Sequence, residues 1–344
     1  MARPVPRAGQ PPPRAARCCA DPPPLSHGKG FRVSAPVAPP GPLELSIVIV
    51  SWNTRALTLA CLDALGPAVV PLRAETIVVD NGSTDGTPDA LRAAHPAVRL
   101  IEPGRNLGFA AGNNAGLAAA RGDFLCLLNP DTLPAPGALA ALVAFLRAHP
   151  AIGAAGPRLL NPDGSEQAVG FAFPTLAQVF LDLFPFGGRF AASRLNGRYP
   201  DAPRDRPFPI GFPLGACLVA RRAAVAATGP LDEGFFMYSE EVDWCRRMTR
   251  AGWPIWCVPT ATVVHHGGQS TAQDSARMFV ELRRSRARYY RLHHGPRFVR
   301  AARLLTRAAM LRETLRAWRL YRRGALDRAT WRARTRACGA VFRL

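Results

Sequence analysis

The stretches LSIVIVSWN (residues 45–53) and TIVVDNGSTDG (residues 76–86) decide the fold class of this chain. Each begins with a short apolar run rich in β-branched residues, which predicts a buried strand. Residues 98–101 (VRLI) and 124–128 (FLCLL) repeat the pattern, and segments with helical spacing separate the four runs. Apolar strands that alternate with helices indicate an α/β fold with a mostly parallel central sheet and flanking helices.

Polar side chains follow these strands at their carboxyl ends. Ser51 and Asn53 follow the first strand, Asp80 follows the second, and Asn129 and Asp131 follow the fourth. Ligands of open parallel sheets bind at this edge. We therefore expect a binding site here, although Asn and Asp are also ordinary turn-forming residues.

The chemistry of this edge is acidic rather than glycine-rich. The segment SWNTRA after the first strand contains no glycine, so neither the dinucleotide fingerprint nor a Walker phosphate loop is present there. Asp131 can offer oxygens to Mg²⁺ or Mn²⁺, which completes its shell with phosphate oxygens. Asp80 can accept a hydrogen bond from a pyrimidine imide. These residues are consistent with a metal-assisted nucleoside diphosphate site.

Composition excludes several classes of protein. With 48% hydrophobic residues the chain can bury a full core, so it is not wholly disordered. The eight cysteines include no CxxC pair, which excludes zinc-ribbon and thioredoxin spacings. We interpret them as buried, reduced thiols of a cytoplasmic protein.

The net charge of +20 is concentrated at the two ends of the chain. Residues 275–344 carry 20 arginines and three acidic residues, whereas residues 44–274 are nearly neutral. We therefore predict a disordered Pro/Arg-rich leader over 1–43, a catalytic domain over 44–274 and an Arg-rich helical extension over 275–344. Whether the leader is natively translated stays open.

A second constellation of acids lies in SEEVDW, residues 239–244. A helix that starts near Ser239 places Glu240 and Asp243 on one face and turns Glu241 away by about 100°. Acids in a first turn also suit the helix dipole, so a capping role is open. The neighbouring segments GFFMY and WCRRMTRAGWPIWC, however, are too apolar for a free surface helix.

Six segments, in this order, resemble the family 2 glycosyltransferases of the GT-A fold, and most closely the bacterial rhamnosyltransferase-like branch. They are LSIVIVSWN, IVVDNGSTDGT, NLGFAAGNNAG, FLCLLNPDT, GPLDEGFFMYSEEVDWCRRMTRAGW and VVHHGGQST. The resemblance covers about residues 44–295. It implies an inverting enzyme that moves a sugar from a nucleotide-sugar donor, of dTDP-rhamnose or UDP-sugar type, to a hydroxyl of a cell-surface glycan or a lipid-linked acceptor.

The resemblance also implies roles on the donor side. The nucleotide-sugar-binding positions fall on Ser51, Asn53, Asp80, Asn106, Asn114, Asn129 and Asp131. The metal motif of the family falls on residues 129–131, where Asn129 replaces the usual first acid and leaves Asp131 as the expected carboxylate ligand of Mg²⁺ or Mn²⁺. One of His265 and His266 contacts phosphate or metal, and we favour His265.

On the acceptor side, the resemblance aligns Glu241 with the general base of the family. Transfer to a hydroxyl needs a base that takes its proton, and Glu240 is the alternative. The other acceptor-side positions are Gly215, Tyr238, Asp243 and Trp244.

The Arg-rich extension predicts a membrane contact. On a helical wheel Leu304, Ala308, Leu311, Leu315 and Trp318 share one face, and arginines flank both sides of it. This layout is typical of a helix that lies on an anionic bilayer, and it predicts a cytoplasmic protein held peripherally at the inner face of the cell membrane, with no specific nucleic acid partner. A helix that packs on the catalytic body or on a partner protein stays open.

Two other classes of protein also stay open. A sugar nucleotidyltransferase would carry a Gly-rich basic loop after the first strand, which SWNTRA lacks. A non-catalytic protein that binds nucleic acid or membranes through its basic C-terminus would bind DNA with a steep salt dependence.

Overall fold

The computed structural model describes residues 32–33, 41–167, 169–185, 190–268 and 274–344. Nearly all of the predicted leader, residues 1–43, lies outside these ranges. The division into domains at residue 274 stays a prediction.

The described chain alternates strands and helices. The strands are β1 (Arg32–Val33), β2 (Leu45–Ser51), β3 (Ala74–Asp80), β4 (Arg99–Glu102), β5 (Phe124–Leu128), β6 (Thr132–Pro134), β7 (Ala154–Leu160), β8 (Phe208–Ile210), β9 (Cys217–Arg221) and β10 (Ile255–His265). The helices are α1 (Arg55–Val69), α2 (Thr87–Ala94), α3 (Phe109–Ala119), α4 (Ala138–Ala148), α5 (Leu176–Leu183), α6 (Arg222–Thr228), α7 (Glu240–Arg250), α8 (Ser275–His293), α9 (Pro296–Arg322) and α10 (Arg328–Phe342). The four predicted strands are confirmed as β2, β3, β4 and β5.

The strands form one sheet in the order β1-β4-β3-β2-β5-β9-β7-β10-β6, with β8 paired to β10. Strands β4, β3, β2 and β5 run parallel, so their carboxyl ends meet at one edge as expected. Strand β9 runs antiparallel to both β5 and β7. Since Cys217 pairs with Leu128, the loop that enters β9 also reaches the carboxyl edge of the parallel strands.

Both faces of the sheet are covered, which explains why β2 shows no alternation of apolar and polar residues. Val48 and Val50 pack into one core cluster, and Leu45, Ile47 and Ile49 pack into another. All seven residues of β2 are buried. A strand buried on both faces has no polar side to show as alternation in the sequence.

Two glycines bring α3 close to β2. A Cβ atom on Gly112 would lie 2.9 Å from Cγ1 of Val50, and one on Gly116 would lie 2.3 Å from Cγ1 of Val48. Any larger side chain would therefore push the helix away from the sheet. The close packing holds the first turn of α3 at the edge where the polar residues gather.

The C-terminal helices attach to the segment that leads into α7. The Ser285 hydroxyl donates to the Met237 carbonyl at 2.7 Å, and Arg288 forms an ion pair with Asp232 at 2.6 Å. Helix α9 buries Ala302, Ala309, Met310 and Ala317 against its neighbours. Within the described part of the chain, no helix is long and apolar enough to cross a membrane.

Candidate active site

A cavity of about 280 Å³ opens at the carboxyl edge of the parallel strands. Its walls come from the ends of β2, β5 and β10, the first turn of α3, and the loops that enter β9 and α7. Eight predicted site residues line it, namely Asn106, Asn129, Asp131, Gly215, Tyr238, Glu240, Glu241 and His265. Acids from two segments more than 100 positions apart in the sequence thus share one cavity.

The turn before α7 sets the direction of Glu240 and Glu241. Tyr238 and Ser239 have φ angles of 71° and 66°, which residues with a side chain rarely adopt. Two such residues in succession store backbone strain of the kind that clusters at functional sites. Helix α7 begins at Glu240, which confirms the predicted start, and its first turn faces the cavity.

Both glutamates have a raised pKa, so each carboxyl group loses its proton less readily than usual. Burial, and then the charge of Glu241, raises the pKa of Glu240 well above its ordinary value. Burial raises the pKa of Glu241 to about 7. The Oε2 atom of each carboxyl group is buried and has no hydrogen-bond partner among the described residues. A carboxylate that titrates near neutral pH is suited to accept a proton as a general base.

Gly215 keeps the Glu241 carboxyl group open to the cavity. A Cβ atom on Gly215 would already lie 3.4 Å from Cδ of Glu241. A longer side chain would fill the space beside the carboxyl group. The glycine therefore leaves room for a substrate hydroxyl at this point.

Asp131 and His265 form a second pair of polar side chains in the cavity. His265 Nε2 lies 3.5 Å from Asp131 Oδ1, and both side chains are buried. Gln167 Nε2 donates to the carbonyl of His265 and to Oδ1 of Asn161, both at 2.8 Å, so Gln167 Oε1 faces His265 Nδ1 at 3.0 Å. Nδ1 must therefore carry the hydrogen, and in the neutral ring Nε2 presents its lone pair to Asp131.

These residues fit a divalent cation. A lone pair on His265 Nε2 and a carboxylate oxygen of Asp131 face one another, and a cation between them satisfies both. Asn129 also lines the cavity, and its buried Oδ1 has no hydrogen-bond partner among the described residues. This oxygen is a third candidate ligand for the cation. No group of three or more His, Cys, Asp or Glu side chains able to hold a metal occurs in the described ranges. Phosphate oxygens of a substrate would have to complete the shell, as is usual for Mg²⁺.

Two asparagines order the part of the cavity that is predicted to bind the nucleotide-sugar. Asn81 donates to Oδ1 of Asn106 at 3.2 Å and to the Gly108 carbonyl at 3.0 Å. Asn106 Oδ1 also accepts from the Gly108 amide at 2.9 Å. This network fixes the loop before α3, where Gly108 has a φ of 86° and its Cβ position lies only 2.5 Å from the Phe236 carbonyl.

Asp80 lies beside this network but does not line the cavity. Its Oδ2 accepts from the Ser83 amide at 2.9 Å, while its buried Oδ1 has no hydrogen-bond partner in the described structure. Burial raises the pKa of Asp80, although the Ser83 hydrogen bond opposes that effect. Oδ1 is thus an acceptor that an N–H donor would satisfy.

Three predicted donor-side residues make structural contacts instead of lining the cavity. The Ser51 hydroxyl is fully buried and lies 3.1 Å from the Thr54 hydroxyl. Asn53 Oδ1 accepts from the Thr84 amide at 2.8 Å, which joins two loops. Asn114 exchanges hydrogen bonds with the backbone of Leu231. In the structure the side chains of these three residues hold neighbouring segments of the fold together.

Asp243 and Trp244 do not line the cavity. Asp243 Oδ1 lies 2.7 Å from His293 Nε2, and its Oδ2 accepts from Arg247 at 2.8 Å. Burial opposes ionisation of Asp243, but the hydrogen bonds from His293 and Arg247 outweigh it and lower its pKa. The fully buried Trp244 donates to the Gly229 carbonyl at 2.9 Å. Both residues anchor α7 rather than contact an acceptor.

Sequence reasoning missed other residues of the site. Trp52, Asn81 and Phe109 line the cavity. Asn81 follows Asp80 directly, so the strand-end position was a usable signal. Gln167 had no such signal, because it contacts His265, which is 98 positions away in the sequence.

Comparison with known proteins gives a consistent result. The model of the family described as glycosyl transferase family 2 matches residues 46–227. The N-acetylglucosaminyl-diphospho-decaprenol L-rhamnosyltransferase of Mycobacterium tuberculosis is 37% identical over 213 residues, which are 58% of this chain and 69% of that protein. The pre-mycofactocin glycosyltransferase of the same organism is 28% identical over 239 residues, covering 68% of this chain and 45% of the relative.

Two solved structures share the fold. The mannosyltransferase PcManGT from Pyrobaculum calidifontis, in complex with GDP-Man and Mn²⁺, is 19% identical with a TM-score of 0.53, and the match covers 91% of this chain and 88% of that one. The structure of GalNAc-T7 with UDP, GalNAc and Mn²⁺ is 18% identical with a TM-score of 0.50 over 66% of this chain and 44% of that one. At these identities the likeness concerns the fold alone, and it confirms the predicted GT-A type.

Proposed function

The chain belongs to glycosyl transferase family 2 and is a glycosyltransferase, and from this premise we propose that it is an inverting enzyme with Glu241 as its general base. The donor is a nucleotide-sugar of dTDP-rhamnose or UDP-sugar type. The acceptor is a hydroxyl of a cell-surface glycan or of a lipid-linked glycan. The observation that carries the proposal is the convergence of Glu240, Glu241, Asp131 and His265 in one cavity at the strand edge.

The chemical step is a single displacement. The acceptor oxygen attacks the anomeric carbon, the bond from that carbon to the diphosphate breaks, and the nucleoside diphosphate leaves with the electron pair. Glu241 takes the hydroxyl proton during the attack, which its pKa of about 7 allows near neutral pH. Burial, and then the charge of Glu241, raises the pKa of Glu240, which favours its neutral form and so lessens the negative charge beside the base.

The donor lies across the strand edge. Its base lies near Asp80 Oδ1, which lacks a hydrogen-bond donor. Its diphosphate lies beside Asp131, Asn129 and His265. A bound Mg²⁺ or Mn²⁺ would neutralise charge on the diphosphate leaving group. Asp131 and His265 would hold that ion, and Gln167 fixes the imidazole so that Nε2 is available.

The acceptor class follows from the relatives and from the C-terminal surface. The relative with 37% identity is named for transfer of L-rhamnose to an N-acetylglucosaminyl-diphospho-decaprenol, which supports a polyprenyl-linked acceptor here. Helix α9 exposes Leu304, Leu311, Leu315 and Trp318, with 66%, 58%, 47% and 47% of their surfaces accessible. We call this set the apolar stripe. It supports a peripheral position at the inner face of the cell membrane.

A donor panel tests the proposed function. Thermal shift with dTDP-, UDP- and GDP-sugars, each with and without Mn²⁺, identifies the donor, and turnover with that donor follows. We expect one pyrimidine nucleotide-sugar to stabilise the protein in a Mn²⁺-dependent way. Stabilisation by none of these donors, or equal stabilisation without metal by all of them, would contradict the proposal.

A further inference from the structure

A second cavity, of about 120 Å³, lies between α5, α8, α9 and α10 and shares no lining residue with the catalytic cavity. Apolar side chains such as Val179, Leu183 and Val341 form part of its wall. Five arginines complete the wall, and we call the cavity the arginine cleft. They are Arg283, Arg286, Arg291, Arg303 and Arg307.

The positive charge of the arginine cleft is largely uncompensated. Arg286 pairs with Asp182 at 3.0 Å, and Arg307 donates to the Phe342 carbonyl at 3.2 Å. The guanidinium groups of Arg291 and Arg303 make no hydrogen bond or ion pair with any described residue. No acidic side chain is among the residues that line the described cleft.

Arg283 is half-buried in the cleft, and its guanidinium lies 5.5 Å from the centre of the Phe279 ring. Its Nε atom is buried and has no hydrogen-bond partner in the described ranges. Burial, and then the charge of Arg286, lowers the pKa of Arg283. A buried N–H group that lacks an acceptor is costly unless an anion supplies one.

The cleft borders the apolar stripe of α9. At about 100° per residue, Arg303 and Arg307 lie between the face of α9 that lines the cleft and the face that carries Leu304 and Leu311. An anion in the cleft would therefore lie beside side chains that enter the acyl region of a bilayer. Arginines at the headgroup level with apolar residues below them are the arrangement of an interfacial helix.

We propose that the arginine cleft binds the phosphate of an anionic membrane lipid, so that the protein recognises a headgroup and not only the charge of the surface. Guanidinium groups bind phosphate through paired, charge-assisted hydrogen bonds. The inference rests on the membrane contact in the proposed function, but it is independent of the roles assigned to Glu241 and Asp131.

Vesicles of two compositions at equal zeta potential test the proposal. One contains phosphatidic acid in phosphatidylcholine, and the other contains a carboxylate lipid in place of phosphatidic acid. We expect the wild type to bind the phosphatidic acid vesicles about tenfold more tightly. Equal binding of the two compositions would overturn the proposal.

A pair of matched double variants identifies the site. R291Q/R303Q removes two exposed arginines of the cleft, and we expect the tenfold preference to fall towards one. The control R316Q/R319Q removes two exposed arginines from the other side of the apolar stripe on the same helix. It should weaken binding to both vesicles and keep the preference. An equal change of the preference in both double variants would overturn the cleft as the site.

Three further measurements make the result specific. R291K/R303K keeps the charge without the paired donors, and we expect it to retain only part of the preference. Inorganic phosphate should stabilise the wild type less than saturating phosphatidic acid vesicles do, and equal stabilisation would overturn the lipid assignment in favour of free phosphate. Mn²⁺-dependent donor binding by the same wild-type sample separates the two proposals. If that binding is intact while the vesicle preference is absent, the cleft assignment alone fails.

Discussion

The catalytic cavity and the C-terminal surface use charge in opposite ways. In the cavity Asp131 and Glu240 are buried and Glu241 is half-buried, and backbone geometry fixes their positions. On α8 and α9 many arginines lie exposed around an apolar stripe. Removal of a single cavity group should therefore have a large and specific effect, whereas the surface should respond gradually to each change.

The largest effect on donor binding is expected from Asp131→Asn. Without this carboxylate His265 alone cannot hold a divalent cation, so Mn²⁺-dependent donor affinity should fall by about 100-fold. Titration of the identified donor at several Mn²⁺ concentrations measures it. His266→Gln is the control at the neighbouring position, and an equal loss in that variant would contradict the assignment of Asp131 and His265.

Gln167→Leu should have the next largest effect, because it removes the acceptor that fixes His265. We expect Mn²⁺ affinity to fall by about 10- to 100-fold with little loss of fold stability. Gln167→Glu keeps an oxygen opposite Nδ1 and should restore part of that affinity. If Gln167→Leu binds Mn²⁺ as the wild type does, the imidazole needs no such support.

On the surface, Leu315→Gln should reduce flotation with anionic vesicles by about tenfold, because it removes apolar area that enters the bilayer. Leu292→Gln on α8 is a matched control, since both leucines are 47% exposed and Leu292 lies outside the apolar stripe. The same loss of flotation in both variants would show that the apolar stripe has no special role.

The smallest effect concerns stability and pH. The pKa of Glu241 is raised from 4.5 to about 7 by burial, so the folded state holds its proton more tightly than the unfolded state. This contribution to stability is complete below pH 4.5 and is lost as the pH rises through 7. Glu241→Gln should thus raise the free energy of unfolding at pH 8 by roughly 1 kcal/mol. Denaturation at pH 5 and pH 8 measures it, and lower stability of the variant at pH 8 would contradict the burial of this charge.

Features that depend on neighbouring residues could be predicted from the sequence, whereas features that depend on distant contacts could not. Local patterns were sufficient for β2 to β5, for the start of α7 near Ser239 and for the apolar stripe of α9, because each depends on the spacing of neighbouring residues. The reversed direction of β9 depends on pairing with β5 and β7, and its five residues, CLVAR, carry no signal for direction.

Side-chain direction at the site was harder to predict for a similar reason. Glu240 and Asp243 share a face on an ideal helix, yet Glu240 lines the cavity while Asp243 binds His293, 50 positions away. The left-handed turn at Tyr238 and Ser239 and the long-range contact with α8 together orient α7. Neither feature has a local sequence signature.

Transfer by Glu241→Gln, compared with Glu240→Gln, tests the central claim most directly. With donor and acceptor saturating, we expect Glu241→Gln to slow the single-turnover rate by about 100- to 10,000-fold while Mn²⁺-dependent donor binding stays near the wild-type value. The wild-type rate should rise with pH through about 7, the pKa of Glu241. A Glu241→Gln enzyme that keeps the wild-type rate, with the larger loss in Glu240→Gln, would contradict the account and assign the base to Glu240.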